Sequence, residues 1–207
     1  MSNNNINTEQ IILEAAEAEF LEKGYGNAKT VAIAQRAGMS HSMLHYYFRT
    51  KEQLFQKVFK EKVQTIVQMF DIAFKQNITD FTALLTQAIE TQFKFIAQNP
   101  RLPLFVFNEI ISNKENRDWA VKTIFPRILP FISTLEKMLN IEIAKGAVRP
   151  IQVQDLLLNV ISINLSVFFA LPVLKESFNL DSAEKLEIFL NERCKSNVQF
   201  VLNALRP

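Results

Sequence analysis

The sequence predicts an all-α protein of about nine helices, with a small N-terminal unit of three helices followed by a larger C-terminal helical one. Three observations carry this prediction. Only 4 Gly and 7 Pro occur in 207 residues, so turns are few. Apolar residues return at three- and four-residue intervals through most of the chain, and no segment alternates apolar with polar as a half-buried strand does. Capping residues and glycines fall at the ends of the periodic stretches.

Residues 2–7, SNNNIN, read as a short polar tail, and the start of the chain has no basic run followed by an apolar core, so no secretion signal is expected. From Thr8 to Lys23, Ile12, Ala15, Ala16, Phe20 and Leu21 recur at helical spacing, with five glutamates between Glu9 and Glu22 on the other face. Gly24 stops that helix. Thr30 is placed to cap a second helix through Ala37, Gly38 to supply the left-handed residue that ends it, and Ser40 to cap a third. Thr50 and Gln53 form a capping box that opens a long helix running into the low seventies.

Further along, Thr79 or Asp80 begins a helix ending near Asn99-Pro100, and the short apolar run LPLFVFNEII follows. Pro126 and Pro130 are expected to interrupt and bend the next helical stretch, which finishes at Gly146 before Arg149-Pro150. The last two helices are expected over 154–171 and 182–205. The second is led by Asp181 and Ser182 and carries Leu186, Phe189, Leu190, Cys194, Val198, Val201 and Leu205 along one stripe. Residues 156–174 contain no charge and are just long enough to cross a membrane. Asn159, Ser162, Asn164, Ser166 and Pro172 within them favour a helix buried in protein, and no membrane is expected as a partner.

The net charge of +2 excludes nothing by itself, so the distribution of charge decides. Between Lys23 and Lys51 there are five cations (Lys23, Lys29, Arg36, Arg49, Lys51) and no Asp or Glu, while the preceding helix is rich in glutamate. One face of the N-terminal unit is therefore basic. A single cysteine, Cys194, excludes an internal disulfide framework and suits a reducing cytoplasm.

Both histidines and two of the three tyrosines lie within residues 41–47. A helix-turn-helix needs a tight turn and small residues where its two helices meet. Ala34, Ala37 and Gly38 supply them, and Leu44 with Phe48 points the second helix inward. Ser40, His41, Ser42, His45 and Tyr46 then face outward, side chains suited to phosphates and base edges. His41 and His45, four residues apart, have zinc-chelate spacing, but no cysteine or cluster of carboxylates accompanies them, so no metal or cofactor is assigned. GYGNAK at 24–29 lacks the third glycine of a phosphate loop and follows a helix, so it reads as a helix stop. No catalytic constellation is present in the sequence, and a helical enzyme or a scaffold whose helix-turn-helix has lost DNA remain the rival readings.

Residues 8–55 resemble the N-terminal domain of the tetracycline-repressor (TetR) family of bacterial transcriptional regulators. The resemblance rests on the AA…F…GY phrase from Ala15 to Tyr25, IAxxAGxS from Ile33 to Ser40, LxxxF from Leu44 to Phe48, and TKEQLF at 50–55. It implies a helix-turn-helix DNA-binding domain over 1–52 and a ligand-binding and dimerisation domain over 53–207. It also implies that Thr30 and Lys51 anchor phosphates and that Ser40 to Tyr47, Tyr47 included, face the groove. The chain departs from the family where many members have tyrosine directly after the leucine of the recognition helix, since His45 stands there.

The expected function is that of a ligand-responsive repressor, bound as a homodimer through its last two helices to a palindromic double-stranded operator. The resemblance further implies a pocket among helices four to eight. The abundance of phenylalanine, among them Phe70, Phe74, Phe93, Phe131 and Phe168, favours an apolar or aromatic effector there. Asn108, Glu109, Trp119, Asn164 and Phe168 are the candidate ligand-binding residues.

Overall fold

The computed structural model describes the backbone of residues 2–73 and 78–207 and the side chains of 8–70 and 78–207. Among the described residues the chain is all-α, with nine helices and no strand. The helices are α1 (Ser2–Asn27), α2 (Thr30–Arg36), α3 (His41–Tyr47), α4 (Lys51–Ala73), α5 (Phe81–Gln98), α6 (Leu102–Ser112), α7 (Lys114–Ala144), α8 (Val153–Ser177) and α9 (Ala183–Ala204).

Several helix ends follow directly from the sequence. Ser40, Asp80 and Ser182 each accept a hydrogen bond from the backbone N–H three residues on, which caps α3, α5 and α9. Thr50 Oγ1 accepts from Gln53 N at 3.1 Å and opens α4. Four expectations need correction. The helix reaches back to Ser2, where a polar tail was expected. The N-cap of α2 is Lys29, without a side-chain bond, and Thr30 is the first helical residue, so its hydroxyl is left for another partner. Pro126 and Pro130 lie inside a single helix, α7. Both are exposed, so water can satisfy the carbonyls that their missing N–H groups release. Likewise α8 continues through Pro172 to Ser177.

Packing divides the chain into two compact units, residues 1–65 with 104–120, and residues 66–103 with 121–207. In the first, α1 packs on α2 and α2 on α3. Ile12, Ala16, Phe20, Ile33, Leu44, Leu54 and Phe59 are essentially inaccessible there. The segment 104–120 joins this unit through aromatic contacts: Phe55 and Phe59 meet Phe105 at 5.6 and 6.4 Å, and Phe59 meets Trp119 at 6.2 Å. The second unit is built on α5, which packs against both α8 and α9. Leu85, Ile89, Leu135, Leu139 and Leu156 form the centre of its larger core, and Phe93, Phe168, Leu171 and Cys194 belong to a smaller cluster.

Candidate nucleic-acid interface and ligand cavity

The turn between α2 and α3 is made by Gly38 at φ +68, with Gly38 N–H donating to Gln35 O and Met39 N–H to Ala34 O. This pair of bonds closes a helix end around a left-handed residue, which glycine adopts without strain. α3 then starts at once, capped by Ser40, whose Oγ accepts from Met43 N–H at 3.2 Å. Leu44 is fully buried and Phe48 is 8% exposed, so two apolar side chains hold α3 to its unit. Ser40, His41, Ser42, Met43, His45 and Tyr46 are exposed, and Tyr47 is half-buried.

A hydrogen-bonded chain runs along this surface. Thr30 Oγ1 lies 3.0 Å from His41 Nε2, His41 Nε2 lies 3.1 Å from His45 Nε2, and His45 Nδ1 lies 3.2 Å from the Arg49 carbonyl. The carbonyl accepts only, so His45 Nδ1–H donates to it. In the neutral ring, His45 Nε2 is then the acceptor and His41 Nε2–H the donor, its one hydrogen shared with Thr30 Oγ1, which accepts. Among the described residues no group of three or more His, Cys, Asp and Glu is placed to hold a metal ion.

Lys51, at the start of α4, lies 4.5 Å over the ring of Tyr25 and donates to the Gly26 carbonyl at 3.5 Å. The face of the ring attracts the ammonium and fixes its position. A hydrogen bond to the Glu52 carboxylate raises the Tyr25 phenol above its ordinary pKa, and burial and the charges of Glu52 and Glu109 add to the shift. Tyr25 was not among the sequence candidates, although its GY phrase was a recognisable signal.

The basic stretch is not uniformly available to a polyanion. Arg36 pairs with Glu22 at 2.9 Å and with the buried Glu19 at 3.4 Å, and Lys23 also pairs with Glu19, at 2.8 Å. Lys29, Arg49 and Lys51 have no carboxylate partner among the described residues.

A cavity of about 100 Å³ lies within the second unit, lined by Met69 and Phe70 of α4, Ala88, Thr91 and Gln92 of α5, Ile128, Phe131 and Ile132 of α7, and Leu157, Val160 and Ile161 of α8. Nine of these eleven residues are apolar and none is charged. Phe74, expected beside Phe70, lies outside the described residues.

None of the five candidate ligand residues lines this cavity. Asn108 is exposed, and its carbonyl accepts from Ser112 Oγ. Glu109 accepts from Asn116 Nδ2 at 2.6 Å. The Trp119 ring packs on Phe59, with Lys60 Nζ 5.6 Å from its centroid. Asn164 is fully buried: its Nδ2 donates to the Ile89 carbonyl at 3.1 Å and to Gln92 Oε1 at 2.9 Å, and its Oδ1 accepts from Asn197 Nδ2 at 2.9 Å. Phe168 packs on Phe93 in the smaller core cluster. The lining residues are mostly aliphatic side chains from four separate helices, and nothing in their sequence spacing distinguishes them from core.

The stripe on α9 turns into its own unit. Cys194, Val198, Val201 and Leu205 are buried in the core clusters, so this stripe is covered within the unit. Exposed apolar residues on these two helices include Leu158, Ile161, Phe169 and Val173 of α8 and Ile188 and Phe200 of α9, and Phe200 lines a groove of about 500 Å³ along α8 and α9. α8 is the one described helix long and apolar enough to cross a membrane, at a mean hydropathy of 2.1, and within this unit it packs on α5 and α9.

Residues 12–58 match the model of the family described as bacterial regulatory proteins, tetR family. The chain is 26% identical over 105 residues, 49% of its length and 54% of the relative's, to the uncharacterised helix-turn-helix-type transcriptional regulator YdgC of Bacillus subtilis (strain 168). It is 27% identical over 93 residues, 45% of its length and 47% of the relative's, to the fatty acid metabolism regulator protein of the same organism. The match thus spans about half the length of these curated relatives. Among solved structures, FadR of Bacillus subtilis in complex with stearoyl-CoA superposes with a TM-score of 0.62 at 18% identity, covering 95% of this chain and 99% of that one. The fold is shared over nearly the whole length, and the sequence match falls on the unit that carries the helix-turn-helix. It is residues 12–58, the unit with the helix-turn-helix, that the chain shares with the tetR family of bacterial regulatory proteins.

Proposed function

We propose that this protein is a cytoplasmic, DNA-binding transcriptional repressor that holds a palindromic operator as a homodimer and leaves it when a small apolar or aromatic molecule enters the cavity. In this reading residues 1–52 bind DNA and residues 53–207 bind the ligand and the second copy. The observation that carries it is the exposed face of α3, which offers hydroxyl, imidazole and phenol groups in a row beside Lys29, Arg49 and Lys51. Such side chains suit base edges and phosphates. Thr30 and Lys51 are the proposed phosphate contacts, and Ser40, His41, Ser42, His45, Tyr46 and Tyr47 the groove-facing surface.

The apolar side of α8 with Phe200 supports pairing of two copies, because an uncharged face of this kind is costly to leave in water. A twofold axis would set two recognition helices one turn of DNA apart. The carrier of release in this reading is α4, which begins with Lys51 and supplies Met69 and Phe70 to the cavity wall. A ligand that prefers one arrangement of that helix biases the lysine at its other end. The relative named as a fatty acid metabolism regulator, and the neighbour solved with stearoyl-CoA, support an effector with a hydrocarbon body.

Fluorescence anisotropy with the duplex upstream of the protein's own gene tests the DNA reading. Lys51→Ala is expected to weaken binding to every duplex by about tenfold, the scale of one charge-assisted contact. His45→Ala is expected to change the ranking among duplexes, by about 1–3 kcal/mol at the base it reads. If neither variant changes binding, the surface is misassigned, and a monomeric mass by light scattering at micromolar concentration overturns the dimer.

A further inference from the structure

Three side-chain amides form a line from α9 through α8 to the cavity, and two main-chain carbonyls determine how each is turned. Asn197 Nδ2 donates to the Ile163 carbonyl at 3.3 Å, and Asn164 Nδ2 donates to the Ile89 carbonyl at 3.1 Å. A carbonyl cannot donate, so the atom facing it must be the amide nitrogen in both residues. Asn164 Oδ1 is therefore the atom that accepts from Asn197 Nδ2 at 2.9 Å. The same NH₂ group of Asn164 also reaches Gln92 at 2.9 Å, and the Gln92 atom that receives it must be Oε1. The acceptor end of Gln92 is thus engaged by the protein, and the end left over is its NH₂.

Among the described residues Gln92 is also one of two polar residues that line the cavity, the other being Thr91. No Lys, Arg or His lines it among the described residues. A ligand with an ionised carboxylate would leave water for a wall without a counter-charge, at a cost far above what one amide donor returns. A pure hydrocarbon would leave the Gln92 donor without a partner. The remaining class is an apolar body that carries a neutral acceptor.

We infer that the cavity selects neutral carbonyl compounds, such as ketones, esters or thioesters with an apolar chain or ring, and that Gln92 Nε2–H donates to their carbonyl oxygen. The inference rests on the proposed ligand cavity and deepens it. Asn164 is a positioning residue in this arrangement, since it holds Gln92 with its donor end free. The cavity, at about 100 Å³, suits a compact group. Ile161 on its lining is 38% exposed, so a longer body has a way out to solvent.

The test is calorimetric titration of the full-length protein at neutral pH with three compounds of similar size: acetophenone, ethylbenzene and benzoate. Acetophenone is expected to bind about tenfold more tightly than ethylbenzene, the scale of one hydrogen bond to a half-buried donor, and benzoate to bind more weakly than either. Gln92→Leu should remove the preference for the ketone while leaving ethylbenzene unchanged, and Gln92→Glu should also remove it. The ranking in the unaltered protein needs no variant and stands even if Gln92→Leu fails to fold. Benzoate binding as tightly as acetophenone, or a ketone preference that survives in both variants, overturns the inference and leaves the cavity reading intact. No binding by any of the three overturns both. The expected ranking without any loss of operator affinity supports the inference and overturns the proposed release.

Discussion

Two chains of hydrogen-bonded side chains run through this molecule, one at the surface and one in the interior. The surface chain is Thr30, His41, His45 and the Arg49 carbonyl; the interior chain is Asn197, Asn164 and Gln92 with the Ile163 and Ile89 carbonyls. Their distances are alike, yet the consequences differ. Water can replace any link of the surface chain, so a new partner displaces its bonds at little cost. The interior links have no such substitute, since Asn164 and Asn197 are both 0% exposed. Even so, Asn197 Oδ1 has no partner among the described residues. One chain is suited to be rearranged by what it meets, the other to hold a single orientation.

The contrast is sharpest in stability. Asn164→Leu removes two donated bonds and one accepted bond at a fully buried position, and is expected to cost about 2–4 kcal/mol in urea denaturation. A loss below about 1 kcal/mol would mean that the interior chain is as replaceable as the surface one. Ser40→Ala leaves the first turn of α3 uncapped and should cost about 1 kcal/mol by the same measurement. His45→Ala, at an exposed site, should change stability by no more than about 0.5 kcal/mol, so that its effects appear in DNA binding.

The smallest effect concerns Tyr25. Its phenol pKa is raised in the folded state, chiefly by the hydrogen bond to Glu52. The folded protein therefore holds this proton more tightly than the unfolded chain. The resulting stability is complete below the ordinary tyrosine pKa, about 10, and is lost as pH rises through the folded value. The difference in melting temperature between the unaltered protein and Tyr25→Phe should be constant near neutrality and shrink above about pH 10. A difference that grows with alkalinity contradicts the assignment.

The surface chain was nearly legible in the sequence, and the interior chain was not. A helix-turn-helix is specified by neighbours in sequence: Gly38 for the turn, Ser40 for the cap, Leu44 and Phe48 for the inward face. Local spacing fixes which side chains of so short a helix remain outside. Arg36 was harder, because its partners Glu19 and Glu22 lie on another helix. In the second unit the apolar residues of α5, α7, α8 and α9 share one periodicity whether they fill a core or line a cavity. Asn164 stood out as a polar residue in an apolar run, but its role as an interior link depends on Gln92, 72 residues earlier in the chain. What covers the α9 stripe was hidden for the same reason. Periodicity shows that a helix has an apolar face, and only the packing of α5 shows what covers it.

The pairing of Arg36 and Lys23 with buried Glu19 bears on counterions. Two of the five cations between Lys23 and Lys51 are paired with carboxylates within the protein, which leaves three that could displace ions condensed on a duplex in the proposed reading. At about 0.9 ion per contact, the logarithm of affinity should fall with the logarithm of salt at a slope of about −2.7 per copy from this stretch, against about −4.5 if all five took part. Binding to random sequence is almost wholly of this ionic kind. In the proposed reading, the bracing of α1 against α2 would therefore lower the fraction of the protein held on bulk chromosome, and leave more of it free to search for its operator.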